Sequence, residues 1–169
     1  ENYAFYYCSL TEINIPRSVS YIGWYALAKN NYEHLILPKG VYIGNCAFEG
    51  NIDANIYMYS DSTIAPISSY SNSPFYMVSH VTPSGDTANR TLNTTLATYL
   101  GTVHSGKGYT FSQGGDVVTL SKYNMPTGTS ELIVPYGVTR ISSNVLASAP
   151  DGEVESIILP DTLTTISHS

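Results

Sequence analysis

Leu10-Thr-Glu-Ile-Asn-Ile-Pro16 decides how this chain folds, because the segment returns as Tyr32-Glu-His-Leu-Ile-Leu-Pro38, Thr129-Ser-Glu-Leu-Ile-Val-Pro135 and Val154-Glu-Ser-Ile-Ile-Leu-Pro160. Each is a short run with apolar residues at alternate positions, the period of a strand with one buried face. Each ends at a proline, which has no N–H to give to a ladder and so stops the strand. The residues beyond the proline keep fixed offsets. A branched apolar residue stands three places on (Val19, Val41, Val138, Leu163). An isoleucine follows (Ile22, Ile43, Ile141, Ile166), then Gly or Ser (Gly23, Gly44, Ser142, Ser167). A small-plus-large apolar pair comes next (Ala26-Leu27, Ala47-Phe48, Val145-Leu146), and Ala4-Phe5 is the same pair. Eight residues separate Phe5 from Ile13 and Leu27 from Leu35. The same step from Phe48 reaches Ile56, so Asn55-Ile-Tyr-Met-Tyr59 is a degenerate strand with Tyr59 in the proline position.

Pro16 and Pro38 stand 22 residues apart, and Pro135 and Pro160 stand 25 apart. A unit of that length cannot bury its own apolar face, so neighbouring units must stack around a shared core, which is a solenoid. Ile13/Ile15, Leu35/Leu37 and Ile56/Met58 are expected to point inward, with Gly23 or Gly44 at the corner. An evenly stranded β-sandwich accounts for the alternation but not for the fixed Pro, Val, Ile, Gly and Ala-Phe offsets.

The combination resembles the BspA-like leucine-rich repeat of bacterial and protozoan surface proteins, which reads roughly L-x-x-I-x-[IL]-P-x-x-[VL]-x-x-I-G-x-x-A-F-x-x-C. Ala4-Phe5-x-x-Cys8 and Leu10 to Leu27 match nearly in full. Tyr32 to Phe48 matches with one residue deleted between Val41 and Ile43, and residues 129–146 match with Ser for Gly and Val-Leu for Ala-Phe. The resemblance implies a mainly β leucine-rich-repeat solenoid with parallel strands. It also implies an extracellular or cell-surface location and adhesion to, or recognition of, a host protein, some members binding extracellular matrix proteins. A structural stalk or spacer without its own ligand is the alternative.

Three segments are expected. Residues 1–65 form the end of a first array, and residues 66–106 an irregular linker rich in Ser, Asn, Thr and Pro. Residues 107–169 form a hairpin cap and the start of a second array. Leu92, Leu96 and Leu100, spaced by four, predict a short helix over 88–100. Tyr109-Thr-Phe-Ser112 and Val117-Val-Thr-Leu120 predict a hairpin, with Gly114-Gly115 supplying positive φ at its turn; such a hairpin resembles the one that often opens a BspA-like array. Each array is expected to be cut, the first at its start and the second at its end, as in a piece of a longer precursor. Residues 1–10 and those beyond Ile166 are then marginal without neighbours.

Composition narrows the function. Lys plus Arg is 7 and Asp plus Glu 13, so only 12% of residues are charged and the net charge is −6, against a usual charged share of roughly 25%. A phosphate-binding groove needs clustered cations, so nucleic acid is excluded as a partner. No apolar run is long enough for a transmembrane helix. Gly101-Thr-Val-His-Ser-Gly106-Lys107-Gly108 nearly spells a P-loop. It lacks the hydroxyl after Lys107 that would hold magnesium, and a strand rather than a helix follows, so it reads as a turn. His34, His80, His104 and His168 have no Cys or carboxylate at ligand spacing, and no metal or cofactor is expected. Cys8 and Cys46 lie two turns apart, about 10 Å at the strand spacing, beyond the ~7 Å that a disulfide allows. Both are expected to act as small buried hydrophobes. No Gly-x-Ser-x-Gly elbow occurs, Glu153 and Glu155 read as solvated charges, and no enzyme is expected. Asn89 and Asn93 head sequons that matter only in a glycosylating host.

What remains is the outward face of the strands: Glu12 and Asn14, His34 and Ile36, Asn55 and Tyr57, Glu131 and Ile133, Ser156 and Ile158. Ile36, Ile133 and Ile158 would be polar on a merely solvated face. Two readings stand side by side: a contact surface for a protein partner, or a face packed over by an adjacent segment.

Overall fold

The computed structural model describes residues 1–59, 61–65, 73–78, 80–82, 96–147 and 154–167. The chain divides into two compact units, Glu1–Asn93 and Thr94–Ser169. Both are built of short parallel strands stacked turn on turn, the solenoid that the repeat demands.

The first unit contains β1 (Tyr21–Ile22), β2 (His34–Ile36), β3 (Tyr42–Ile43), β4 (Asn55–Tyr57), β5 (Thr63–Ile64) and β6 (His80–Thr82). They form two parallel sheets, β1-β3-β5 and β2-β4-β6. Register follows the repeat: Ile22 lies opposite Ile43 and Ile43 opposite Ile64, while Leu35 lies opposite Ile56. The core sits between the sheets. Leu35, Leu37, Ile56 and Met58 fill it from one side and Ile22 and Ile43 from the other, and Ala26-Leu27 and Ala47-Phe48 close the third side.

Parallel stacking continues past residue 65, where the first array was expected to end. Phe75 stacks on Phe48 at 5.6 Å. The Phe48 and Gly50 N–H groups reach the Pro74 and Tyr76 carbonyls at 2.9 and 3.0 Å, and β6 pairs with β4. Pro74-Phe75 replaces the Ala-Phe pair, and Phe75 follows Phe48 by 27 residues. That longer step is what hides the turn from a fixed-period reading. At the other extreme, Glu12–Asn14 has no place in a strand ladder, although Ile15 is buried.

The return turns solve their geometry with backbone conformations and amide side chains that the sequence reading did not assign. Tyr3, Tyr25 and Cys46, each just before the small-large pair, adopt positive φ (56°, 54° and 53°), as do Tyr7 and Lys29 two places after it. Asn30 and Asn51 stand three places past the large residue, the position that Cys8 holds in the first turn. Both are buried. Asn30 Oδ1 accepts from the Cys8 and Leu10 N–H groups (3.1 and 3.0 Å), and its Nδ2 donates to the Phe5, Leu27 and Ala28 carbonyls (2.8, 3.1 and 3.1 Å). Asn51 Oδ1 accepts from the Asn30 N–H at 3.2 Å, and its Nδ2 donates to the Leu27 and Phe48 carbonyls. A backbone that bends this sharply leaves polar groups which no regular ladder satisfies, and the amide side chains take them up.

The second unit contains α1 (Leu96–Val103), β7 (Tyr109–Gly114), β8 (Val117–Tyr123), β9 (Glu131–Ile133), β10 (Arg140–Ile141), β11 (Ser156–Ile158) and β12 (Thr165–Ile166). β7 and β8 form the expected hairpin, but its two-residue loop is Gly115-Asp116, and of the two glycines only Gly115 has positive φ (57°). β8 then pairs in parallel with β10, and β10 with β12, so the hairpin is the first rung of the second array. β9 and β11 make the other sheet.

A helix is present at Leu96–Val103; residues 88–95 of the expected helix, with Leu92 and the two sequons, lie outside the described residues. Leu96 and Leu100 are buried, and Gln113 Oε1 on β7 accepts the Ala97 N–H at 3.1 Å. This bond ties the helix to the hairpin. The helix packs on β7 and belongs to the cap of the second unit rather than to a linker.

Gly108 marks where the helix hands over to the hairpin. Its φ is +84°, and a Cβ there would overlap the Asn124 carbonyl; the Asn124 N–H bonds the Gly108 carbonyl at 2.8 Å. Gly108→Ala is expected to cost roughly 2–4 kcal/mol in urea denaturation of the whole chain, strain and overlap adding to each other. A loss below ~1 kcal/mol would mean that the Asn124 strand simply gives way.

Candidate protein-binding face

In the second unit the outward residues of β9 and β11 lie side by side, Glu131 opposite Ser156 and Ile133 opposite Ile158. Alternation along each strand puts Leu132 under this face, 1% exposed. Ile133 and Ile158 are each 50% exposed. Ser156 Oγ donates to Glu131 Oε1 at 2.9 Å, and Ser130 Oγ donates to Glu155 Oε2 at 2.9 Å, so carboxylate–hydroxyl bonds cross between neighbouring turns. The face is anchored at one edge by Tyr109, whose Oη donates to the Ile133 carbonyl at 2.8 Å. Burial, chiefly, pushes the Tyr109 phenol up to about 12, so it stays a donor throughout the physiological range. Its ring packs on Tyr123 and Phe111.

The equivalent face of the first unit is different. Ile36 and Tyr57 lie opposite each other in β2 and β4, yet they are only 8% and 2% exposed. Both stood as candidate partner contacts with a packed-over face as the other reading, and here they are packed over. The His34 ring stacks on the Tyr57 ring at 5.8 Å, and its Nδ1 lies 2.8 Å from the Tyr57 hydroxyl. The same packing desolvates His34 and lowers its pKa, Glu33 opposing the shift. Asn55 donates to the Glu33 carbonyl at 3.3 Å, and Glu12 and Asn14 are exposed on the terminal turn. Of the three outward isoleucines, two remain uncovered and one is packed away.

The other candidate chemistry resolves into structure. Of the P-loop look-alike 101–108, residues 101–103 end α1 and residues 104–108 form the turn between α1 and β7. Cys46 is a buried free thiol whose pKa burial raises. Tyr25 bonds it, and that bond, with burial, pushes the phenol up to about 12. Cys8 is also outside any disulfide but exposed, against expectation. Among the described residues no group of three or more His, Cys, Asp and Glu side chains could hold a metal ion, and no helix is long and apolar enough to cross a membrane.

The family model of the BspA type leucine-rich repeat region matches residues 1–88 in six copies. The chain belongs to the BspA-type leucine-rich repeat family. No curated protein and no solved structure matches it. BspA-type repeat proteins are often surface-associated, and leucine-rich repeats generally mediate protein interactions. The BspA-type match runs past residue 65 and so includes the turn built on Phe75.

Proposed function

We propose that this chain is a protein-binding module of the cell surface or the secreted space, and that it engages its partner through the open sheet of β9 and β11. The observation that carries the reading is the adjacent pair Ile133 and Ile158, each half exposed and in register on their sheet. An apolar pair kept in water has a cost that a contact surface recovers on binding. Glu131 and Ser156 give the pair a polar rim, as interfaces have. Family membership supports an adhesive role toward an extracellular matrix protein.

The test is retention of the full chain on immobilised extracellular matrix proteins. Ile133→Asp combined with Ile158→Asp is expected to lower retention ~10-fold or more, as loss of a central apolar anchor does. Both side chains are half exposed, so the circular dichroism spectrum should not change. Unchanged retention rejects this face, and a wild-type chain that no matrix protein retains favours the spacer role.

A further inference from the structure

Beside its two isoleucines, the sheet of β9 and β11 carries charge of one sign. Glu131 stands two residues before Ile133 on the same face, and Glu155 opens the neighbouring rung. Both are exposed. Their hydroxyl partners, Ser156 and Ser130, come from the adjacent turn, so each carboxylate is tied in place from one turn to the next. A carboxylate has roughly four acceptor sites, and one serine fills one of them. Among the described residues neither Glu131 nor Glu155 stands in an ion pair. The Lys and Arg side chains of the second unit belong to other elements: Lys107 to the turn before β7, Lys122 to β8 and Arg140 to β10.

β9 lies inside its array, held by Tyr109 on one side and paired with β11 on the other. Its outward side chains stand roughly perpendicular to the sheet, whereas turns add at the strand edges. The exposure of Glu131 and Ile133 therefore follows from the face they point to, and not from which residues precede or follow the array.

Outward residues two places apart on a strand are about 7 Å apart, which is also the spacing of alternate residues in an extended partner. Resting on the reading of this face as the contact surface, we propose that its partner is a basic, apolar segment of protein: an extended stretch with a Lys or Arg two places from an aliphatic residue. The aliphatic residue covers Ile133 and Ile158, and the cation meets Glu131 and Glu155. The serine bonds already order the two carboxylates, which lowers the cost of pairing. Opposite charge at the rim speeds association and turns acidic partners away.

The probe is a capped synthetic peptide of repeated Lys-Thr-Leu-Thr, titrated into the full chain by calorimetry beside peptides with Glu in place of Lys or Ser in place of Leu. The wild type is expected to bind the first peptide more tightly than the other two, and less tightly as salt rises. Glu131→Gln with Glu155→Gln keeps acceptors for the serines and removes the charge. It should weaken binding ~5-fold or more, the sum of two exposed pairs, and flatten the salt dependence. Ile133→Ser with Ile158→Ser should weaken binding as well. Glu33→Gln with Asp53→Asn, both exposed in the first unit, removes as many charges and should leave binding unchanged. The proposal is overturned if the wild type does not bind the Lys peptide, if it binds the Glu peptide as tightly, or if the first-unit variant weakens binding as much as the glutamine pair. A glutamine pair without effect beside a serine pair with one overturns the basic partner and leaves the face standing. If neither pair has an effect, the face itself is rejected along with the proposal.

Discussion

Asn30→Asp is expected to destabilise the first unit by about 3–5 kcal/mol at neutral pH, the range for an uncompensated buried charge. The substitution is nearly isosteric, so packing hardly changes. What changes is polarity. Asn30 Nδ2 donates to three carbonyls, and a carboxylate in its place would face all three with acceptor oxygens in a buried site. Burial and the facing carbonyls both disfavour the charged form, so the folded carboxyl's pKa rises above its unfolded value of ~3.9. The deficit is therefore smallest below the unfolded pKa, where both states are neutral. It grows as pH rises until the folded pKa is passed. Trp24 is the only tryptophan of the chain and lies in the first unit, so its fluorescence in urea reports this unit. A difference from wild type that does not vary with pH would mean that Asn30 acts by shape and not by donating.

Leu35→Ala is expected to cost about 3–5 kcal/mol, and Ile157→Ala, at the equivalent inward position of another repeat, less than ~1.5 kcal/mol. Leu35 is fully buried between neighbouring turns, while Ile157 is 49% exposed. Truncating Leu35 removes transfer energy and leaves a cavity walled by Ile56 and Ile22. Truncating Ile157 removes contacts on one side of a strand whose other side meets water. Urea denaturation followed by circular dichroism measures both. Equal losses would show that Ile157 is covered in solution.

Much of the fold was legible because its signals are local. Alternation, the terminating proline and the Ala-Phe pair are all read within one repeat, and they placed Ile43, Ile56 and Phe48 in the core. The turn around Phe75 was not legible, because Pro74-Phe75 departs from the pair in both spacing and composition. The asparagine ladder had a signal that went unused: Cys8, Asn30 and Asn51 share one offset from the large residue. The bond from the Ala97 N–H to Gln113 has no local signal, since Gln113 stands on a strand further along the chain.

The candidate face divides along the same line. Sequence alone determined which residues point outward, because a strand's period of two leaves no other choice once the inward set is known. The repeat's resemblance put a contact surface beside a spacer role as the readings to weigh. Only the tertiary structure decided that Ile133 and Ile158 stay open while Ile36 and Tyr57 do not. Exposure is set by what reaches a face from elsewhere, and His34 stacked on Tyr57 is a contact between turns 23 residues apart.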